Sequence, residues 1–134
     1  LRMEQHQKNA FAIAKWLQEQ PRVQYVLYPG LENHPGYEIN KAQTTGFGGM
    51  ISFAVDSAET ARQILEGVKL IKFAESLGGT ESLITYPIRQ THTDLTAEEC
   101  AEKGITDCLL RFSTGIEATQ DLIDDLAQAF AAVE

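Results

Sequence analysis

The chain has few cysteines, few basic residues and no long apolar run. Cys100 and Cys108 are its only cysteines, and their spacing matches neither a zinc-binding pair nor a disulfide framework, so we expect two reduced, partly buried thiols. Eleven basic and nineteen acidic residues give a net charge of −8, which argues against a nucleic-acid or anionic-membrane surface. No segment approaches the roughly 20 apolar residues that span a bilayer, and no signal-peptide pattern is present, so we expect a cytoplasmic protein.

The residues that are present fit one globular domain. A chain of 134 residues, 43% of them hydrophobic, can bury most of its apolar surface in a single core, and no repeat or Ser/Gly-rich linker divides it. The chain begins with Leu1 rather than methionine, and its first residues already have a helical pattern. We therefore expect a piece of a longer polypeptide.

Hydrophobic periodicity predicts four helices and five strands. The helices are expected from Met3 to Leu17, after a capping box of Asp56 and Glu59, between Thr96 and Gly104, and from Leu122 to Val133. The strands are expected over residues 23–27, 50–55, 71–74, 83–86 and 108–113, with 31–45 as a loop that has room for a short helix. The run 50–55 is apolar on both faces and is expected to be central. With too few strand–helix–strand crossovers for a doubly wound fold, we predict an α+β fold, a largely antiparallel sheet with helices packed on one face.

The most informative position is Arg111, a cation inside the apolar, strand-like run Leu109–Ser113. A guanidinium held there loses water unless an anion binds it, and its planar fork suits a carboxylate or a phosphate. The nearest acids, Asp107 and Glu117, lie toward the ends of the run, so an external carboxylate is a candidate partner. The alternative is an edge strand from which Arg111 extends to solvent, and the five residues alone favour that more ordinary arrangement.

Several ordered motifs extend through essentially the whole chain. They are Tyr28-Pro29-Gly30-Leu31, His34-Pro35, Gly46-Phe47-Gly48-Gly49-Met50, Lys72-Phe73-Ala74-Glu75-Ser76-Leu77-Gly78-Gly79-Thr80-Glu81-Ser82-Leu83, Thr91-His92, Gly104-Ile105-Thr106-Asp107 and Leu110-Arg111-Phe112-Ser113-Thr114-Gly115-Ile116-Glu117. In this order they resemble the C-terminal domain of the Cys/Met-metabolism enzymes that use pyridoxal phosphate (PLP), a family that includes cystathionine γ-lyase and γ-synthase.

The resemblance implies a fold-type-I enzyme in which residues 1–134 form the small C-terminal domain and pack against a large N-terminal PLP domain that is absent from this chain. In such enzymes PLP is attached to a lysine of the large domain, and its ring is the electron sink for the substrate carbanion. The chain contains none of the family's lysine-bearing motif, ring-nitrogen carboxylate or phosphate-holding loop. It is therefore expected to bind no cofactor alone, to be inactive alone, and to belong to a homotetramer in the full-length enzyme.

The resemblance also assigns substrate-binding residues. By similarity Arg111 holds the substrate α-carboxylate, which agrees with its strand context, and Ser76 helps to position the Schiff base and that carboxylate, with Leu77 beside it. Glu75 stands where γ-lyases and γ-synthases tend to carry an acid, which could receive the distal ammonium of cystathionine. Without the family, Ser76 would be a turn residue and Glu75 a surface carboxylate.

Two other motifs invite interpretations that the sequence does not support. Gly78-Gly79 lacks the Gly-Lys-Ser/Thr continuation of a phosphate-binding loop. His92 has no second ligand at metal spacing, so no zinc site is predicted.

The predicted function is the carboxylate-binding part of a PLP-dependent lyase or transferase that acts on cystathionine or an activated homoserine. An alternative is a stand-alone α+β module that binds free amino acids as a regulator, with Arg111 as the carboxylate anchor. A third possibility is a surface that joins subunits or domains of a larger protein, on which outward apolar residues of the first helix, Trp16 among them, would pack.

Overall fold

The computed structural model describes residues 1–134 and contains five helices and five strands. In chain order they are α1 (Arg2–Gln18), β1 (Val23–Leu27), α2 (Tyr37–Gln43), β2 (Met50–Val55), α3 (Ala58–Gly67), β3 (Lys72–Phe73), β4 (Leu83–Thr85), α4 (Ala97–Glu102), β5 (Leu109–Ser113) and α5 (Thr119–Ala131). The sheet order is β1-β2-β5-β4-β3, and only the β3–β4 pair is parallel. The predicted α+β fold with a largely antiparallel sheet is confirmed.

Helices α1, α3 and α5 lie on one face of the sheet because each carries an apolar stripe. They form a core of 18 buried residues with the sheet, among them Ile13, Leu17, Ile51, Phe53, Ile64, Ile84, Leu110, Phe112, Leu122 and Leu126. Burial of each large side chain contributes roughly 1.5–3 kcal/mol. Alternate strand positions point to the opposite face, where Cys100 and Ile105 cover only the Leu109 end of β5. That opposite face is the one on which polar strand residues are found.

The start of α3 differs from the prediction. Its N-cap is Ser57 rather than Asp56, because the extended Ser57 backbone lets the hydroxyl accept a hydrogen bond from Thr60 N at 3.0 Å. Glu59 does not close a capping box, since its carboxylate pairs with Arg62 instead. The prediction is therefore wrong both in the cap residue and in the capping box.

The capping box predicted for α4 is confirmed. Thr96 accepts from Glu99 N, and the Glu99 carboxylate accepts from Thr96 N at 2.8 Å. These contacts lower the pKa of Glu99, with the backbone hydrogen bond as the largest cause. Gly104 follows the helix with φ of +69°, the left-handed conformation that favours glycine after a helix end.

The remaining differences concern the loop 31–45 and the strand order. The loop contains the short helix α2, where Tyr37 stacks on Phe47 with ring centroids 5.5 Å apart. Strand β2 is interior, but the middle strand of the sheet is β5.

The Trp16 ring packs edge-on against the Phe130 ring of α5, with the ring centroids 5.7 Å apart. This contact lies within the domain. No helix is both long enough and apolar enough to cross a bilayer.

Buried polar side chains join distant loops to the helices. The Asp125 carboxylate of α5 is buried and accepts hydrogen bonds from the backbone amides of Lys69, Leu70 and Ile71, at 2.8–3.2 Å. The Tyr28 hydroxyl donates to Gly48 O at 2.9 Å, and burial raises its pKa to about 12. Such contacts satisfy backbone groups that the sheet and helices leave unpaired.

Replacement of Asp125 by asparagine is expected to lower the free energy of unfolding by about 2 kcal/mol. The amide nitrogen of Asn would replace one of two acceptor oxygens and would face backbone N–H donors. Urea unfolding of the chain and its Asp125→Asn variant measures the difference. The matched control is Asp124→Asn on the adjacent exposed position, whose carboxylate meets only Gln120. An equal loss in both variants would contradict a specific role for the buried carboxylate.

Candidate functional site

Arg111 lies in the middle strand of the sheet. Its neighbours across the ladder are Ser52 of β2 and Thr85 of β4. Leu110 and Phe112 on either side of it enter the core, so Arg111 belongs to the opposite face. The side chain is half-buried, and the edge-strand alternative for this run is wrong.

The guanidinium of Arg111 meets only neutral acceptors. Its Nη2 donates to the backbone oxygen of Glu75 at 2.7 Å and to Thr85 Oγ1 at 3.3 Å, whereas Nε and Nη1 have no acceptor in the chain. The ion pairs of the chain are made by Arg22 and Arg62 alone. A half-buried cation has lost part of its hydration, and neutral dipoles replace it only in part. Donors therefore remain for an anion that the chain itself does not supply.

The two acids nearest in sequence have other partners. The Glu117 carboxylate accepts from Ser82 N at 2.7 Å and from Ser82 Oγ at 2.8 Å. Asp107 accepts from the Cys108 thiol at 3.4 Å. Neither carboxylate neutralises Arg111.

The loop of residues 74–82 lies against Arg111. Glu75 O accepts from Arg111, and Gly78 N donates to Ser113 Oγ at 2.9 Å, two residues further along β5 on the same face. Ser76 and Leu77 lie between these two contacts and are exposed, as is the side chain of Glu75. The structure therefore brings Arg111 together with the segment Glu75–Leu77, the four residues assigned from the sequence.

Glycine is required where the far end of this loop crosses the end of β5. A Cβ on Gly115 would clash with two backbone atoms, Thr80 O and the carbonyl carbon of Glu81. Gly115 N donates to Ser82 Oγ at 2.8 Å, and Ile116 N donates to Thr80 O at 2.9 Å. This close contact of two backbones fixes the loop relative to the strand that carries Arg111.

Sequence reasoning missed the polar residues that hold this arrangement together. Thr85, Ser82 and Ser113 are buried hydroxyl residues. Thr85 bonds to Ala74 O and to Arg111, Ser113 accepts from Gly78 N of the loop, and Ser82, at the end of the loop, accepts from Gly115 N. A hydroxyl residue inside an apolar strand was the available signal, since a buried hydroxyl needs a hydrogen-bond partner. Glu117 could be recognised as an acid near Arg111, but its partner Ser82 is 35 positions away.

Neither cysteine thiol nor the Tyr86 phenol is set up as a nucleophile. Burial, followed by the hydrogen bond and charge of Asp107, raises the pKa of the Cys108 thiol, so it stays protonated near neutral pH. Burial also raises the pKa of Tyr86, whose hydroxyl donates to Asp107 O at 2.6 Å. Cys100 is buried and Cys108 is half-buried.

The deeper surface grooves lie away from Arg111. The largest, with a volume of roughly 580 Å³, is lined by Phe11 and Lys15 of α1 and by Leu31, Tyr37 and Phe47. Another contains His92, whose Nδ1 is 2.7 Å from Thr91 Oγ1. Arg111 lines neither of these grooves and belongs to an open face of the sheet.

Comparisons with known proteins agree with this fold and these motifs. Residues 1–131 match the family model of the Cys/Met metabolism PLP-dependent enzymes. Similar curated proteins include cystathionine γ-lyase of Dictyostelium discoideum, 52% identical over 130 residues, and cystathionine γ-synthase of Haemophilus influenzae, 50% identical over 131 residues. These matches cover 96% and 98% of this chain and 34% and 31% of the relatives. The chain thus spans about a third of the length of these relatives.

Solved structures are similar over the same part of the chain. Cystathionine γ-lyase from Lactobacillus plantarum, complexed with L-serine, superposes with a TM-score of 0.94 at 39% identity, over 98% of this chain and 35% of that one. Cystathionine γ-synthase from Xanthomonas oryzae pv. oryzae, in complex with aminoacrylate and cysteine, gives 0.93 at 44% identity, over 97% and 34%. The fold is that of the C-terminal domain of fold-type-I PLP enzymes, and the chain belongs to the family of Cys/Met metabolism PLP-dependent enzymes.

Proposed function

We propose that this chain is the C-terminal domain, residues 1–134, of a PLP-dependent lyase or transferase of sulfur amino-acid metabolism, of the cystathionine γ-lyase or γ-synthase type, and that it holds the substrate α-carboxylate. The observation that supports this function is the half-buried Arg111 in the middle strand, which has free N–H donors and no carboxylate partner. The two activities share this contact and differ in the group that joins or leaves the γ-carbon, so the proposal covers both.

The role of Arg111 is to fix the orientation of an amino acid. Its planar fork binds the α-carboxylate, so that the Cα–H bond can stand perpendicular to the cofactor plane, where loss of the proton is easiest. Lysine would supply the charge without the geometry of the fork. Ser76 and Leu77, exposed on the loop beside Arg111, form the adjoining wall of the proposed pocket.

The cofactor is held by the rest of the longer protein in this proposal. Lys72 is the lysine nearest in sequence to Ser76, and its Nζ donates a hydrogen bond to Lys69 O at 2.9 Å. No lysine side chain is hydrogen-bonded to the loop 74–82. When bound, PLP takes up the electron pair released at the substrate Cα. The residues of this chain fit the substrate side of such a site and not the attachment of the cofactor. The isolated chain is accordingly proposed to bind no PLP and to be inactive.

Glu75 is proposed to select the substrate. Its side chain is exposed and makes no hydrogen bond or ion pair in the chain, whereas its backbone oxygen is bound to Arg111. A free carboxylate one residue from Ser76 suits a substrate with a second, distal ammonium group, such as cystathionine. The assembly in this proposal is a homotetramer of the full-length enzyme in the cytoplasm.

Replacement of Arg111 by lysine in the full-length, cofactor-loaded enzyme is expected to lower kcat/KM for its sulfur amino-acid substrate about 100-fold. This equals about 3 kcal/mol of transition-state stabilisation, the size of a lost charged and oriented contact. Steady-state kinetics measure the effect. Arg62→Lys is the matched control, because Arg62 is exposed on α3 and pairs only with Glu59 and Glu66. Unchanged kinetics of Arg111→Lys would refute the proposed function.

Replacement of Glu75 by glutamine is expected to raise KM for L-cystathionine about threefold, since an exposed charge pair contributes up to about 1 kcal/mol. KM for a substrate without a distal ammonium, such as L-homocysteine, should stay the same. The control is Glu81→Gln, the same change at another exposed position of the loop. Equal changes for both substrates would exclude charge recognition by Glu75.

The regulator alternative makes a different prediction for the isolated chain. In our proposal half of the pocket belongs to the rest of the enzyme, so isothermal titration with L-methionine or L-cysteine should give no binding heat, and the chain should have no lyase activity with added PLP. Saturable binding of either amino acid that is lost in Arg111→Lys would favour the stand-alone module.

A further inference from the structure

We propose that Thr85 is a positioning residue for substrate binding, one that orients both the Arg111 guanidinium and the backbone of the Ala74–Ser76 segment. This inference rests on the proposed function of Arg111 as the carboxylate contact. It adds a residue on a different strand, 26 positions away in sequence.

The register of the sheet brings Thr85 to Arg111. The two residues face each other across the antiparallel β4–β5 pair, so their side chains are neighbours on the same face. Thr85 is 1% exposed, and its side chain is therefore held in one place by packing. A fixed hydroxyl next to a long, flexible arginine can determine where the guanidinium rests.

The direction of the Thr85 hydroxyl is set by its other partner. Oγ1 donates its single hydrogen to Ala74 O at 2.7 Å, so only lone pairs remain for the Arg111 side. Nη2 of Arg111 donates to that oxygen at 3.3 Å and to Glu75 O at 2.7 Å. One hydroxyl and one guanidinium thus bind two successive backbone carbonyls, those of residues 74 and 75, directly before Ser76.

The two contacts have a common consequence for a ligand. With Nη2 bound to Thr85 and Glu75 O, Nε and Nη1 are held in a fixed direction without a protein acceptor. Without the hydroxyl, Ala74 O would lose this donor and Nη2 would lose one acceptor. The remaining bond to Glu75 O would then join two groups that are both less restrained. A carboxylate that binds would then have to order the Arg111 guanidinium as well, so the affinity for the carboxylate would fall.

The test compares Thr85→Val with Thr85→Ser in the full-length enzyme loaded with its cofactor. Valine keeps the shape and removes the hydroxyl, whereas serine keeps the hydroxyl. The probes are L-alanine and ethylamine as competitive inhibitors of L-cystathionine turnover, because the two differ only in the carboxylate. The control is Thr60→Val, the same change at a buried threonine of α3 that bonds to Asp56 and Ser57.

For Thr85→Val we expect the inhibition constant of L-alanine to rise about tenfold and that of ethylamine to change less than twofold. In Thr85→Ser both inhibition constants should stay within threefold of those of the parent enzyme. Thr60→Val should change neither inhibition constant. If the valine variant does not fold, Thr85→Ala, which also lacks the hydroxyl, gives the same comparison. Equal effects on both inhibitors, or no effect on either, would overturn the role of Thr85.

This outcome is separable from the proposed function. If Arg111→Lys weakens inhibition by L-alanine and Thr85→Val does not, only the positioning role of Thr85 is refuted. If Arg111→Lys leaves L-alanine inhibition unchanged, the carboxylate contact itself is wrong, and the role of Thr85 fails with it.

Discussion

The arrangement of this domain depends on one constraint, a guanidinium in the middle strand of the sheet that is only half hydrated and has no anion of its own. Arg111 is satisfied by a backbone oxygen and a hydroxyl, which stabilise a cation less than a carboxylate does. Removal of water from a charge is costly unless hydrogen bonds or an opposite charge replace that water. The remaining N–H donors are consistent with binding of an anionic group from outside the chain.

The sheet separates stability from binding by its two faces. Leu110 and Phe112 of β5 pack into the helix-covered core, whereas Arg111 and Ser113 between and after them face the other way. The helix side carries almost all of the buried apolar surface, so changes on the open face can occur without loss of the core. The Ser113 hydroxyl accepts a hydrogen bond from Gly78 N, and Ser82 donates to the Glu117 carboxylate; these bonds hold the loop 74–82 on that open face. Rigid strands thus support a loop that would otherwise be mobile, which suits a site that must hold a ligand in one orientation.

Local patterns were sufficient to predict most of the fold, and tertiary contacts explain the rest. The periodicity of α1, α5 and β5 and the capping box at Thr96 depend on neighbours within a few residues, and these predictions are confirmed. The N-cap of α3 is Ser57 rather than Asp56 because the Ser57 hydroxyl accepts from the backbone N–H of Thr60, whereas the Asp56 carboxylate accepts from the Thr60 hydroxyl. The sequence alone does not decide between these two arrangements. The middle position of β5 depends on strand order, which no single strand sequence contains.

The residues of the candidate site were predicted from one local signal and from the family motifs, and their roles stay a prediction. Arg111 stands out because a cation in an apolar run is unusual, and family motifs add Glu75, Ser76 and Leu77. The resemblance itself is confirmed by the family match over residues 1–131. Thr85 could be noticed as a hydroxyl inside an apolar strand, but the sequence does not indicate its partner or that of Ser82, which lie 26 and 35 positions away. Polar residues that act through long-range hydrogen bonds become visible only when the register of the strands is known.

Arg111 contacts the backbone of Glu75 and not its carboxylate, so the two opposite charges form no ion pair. The guanidinium binds the backbone oxygen of Glu75, and the carboxylate of the same residue remains exposed and unpaired. Had the two side chains paired, the site would be neutral, and a ligand would have to break that pair before binding. Because the contact runs through the backbone, the position of the loop is fixed while both charges stay available. A positive group on β5 and a negative group on the adjoining loop are complementary to a ligand that carries a carboxylate at one end and an ammonium at the other, which is the chemistry of the diamino acid substrate that we propose.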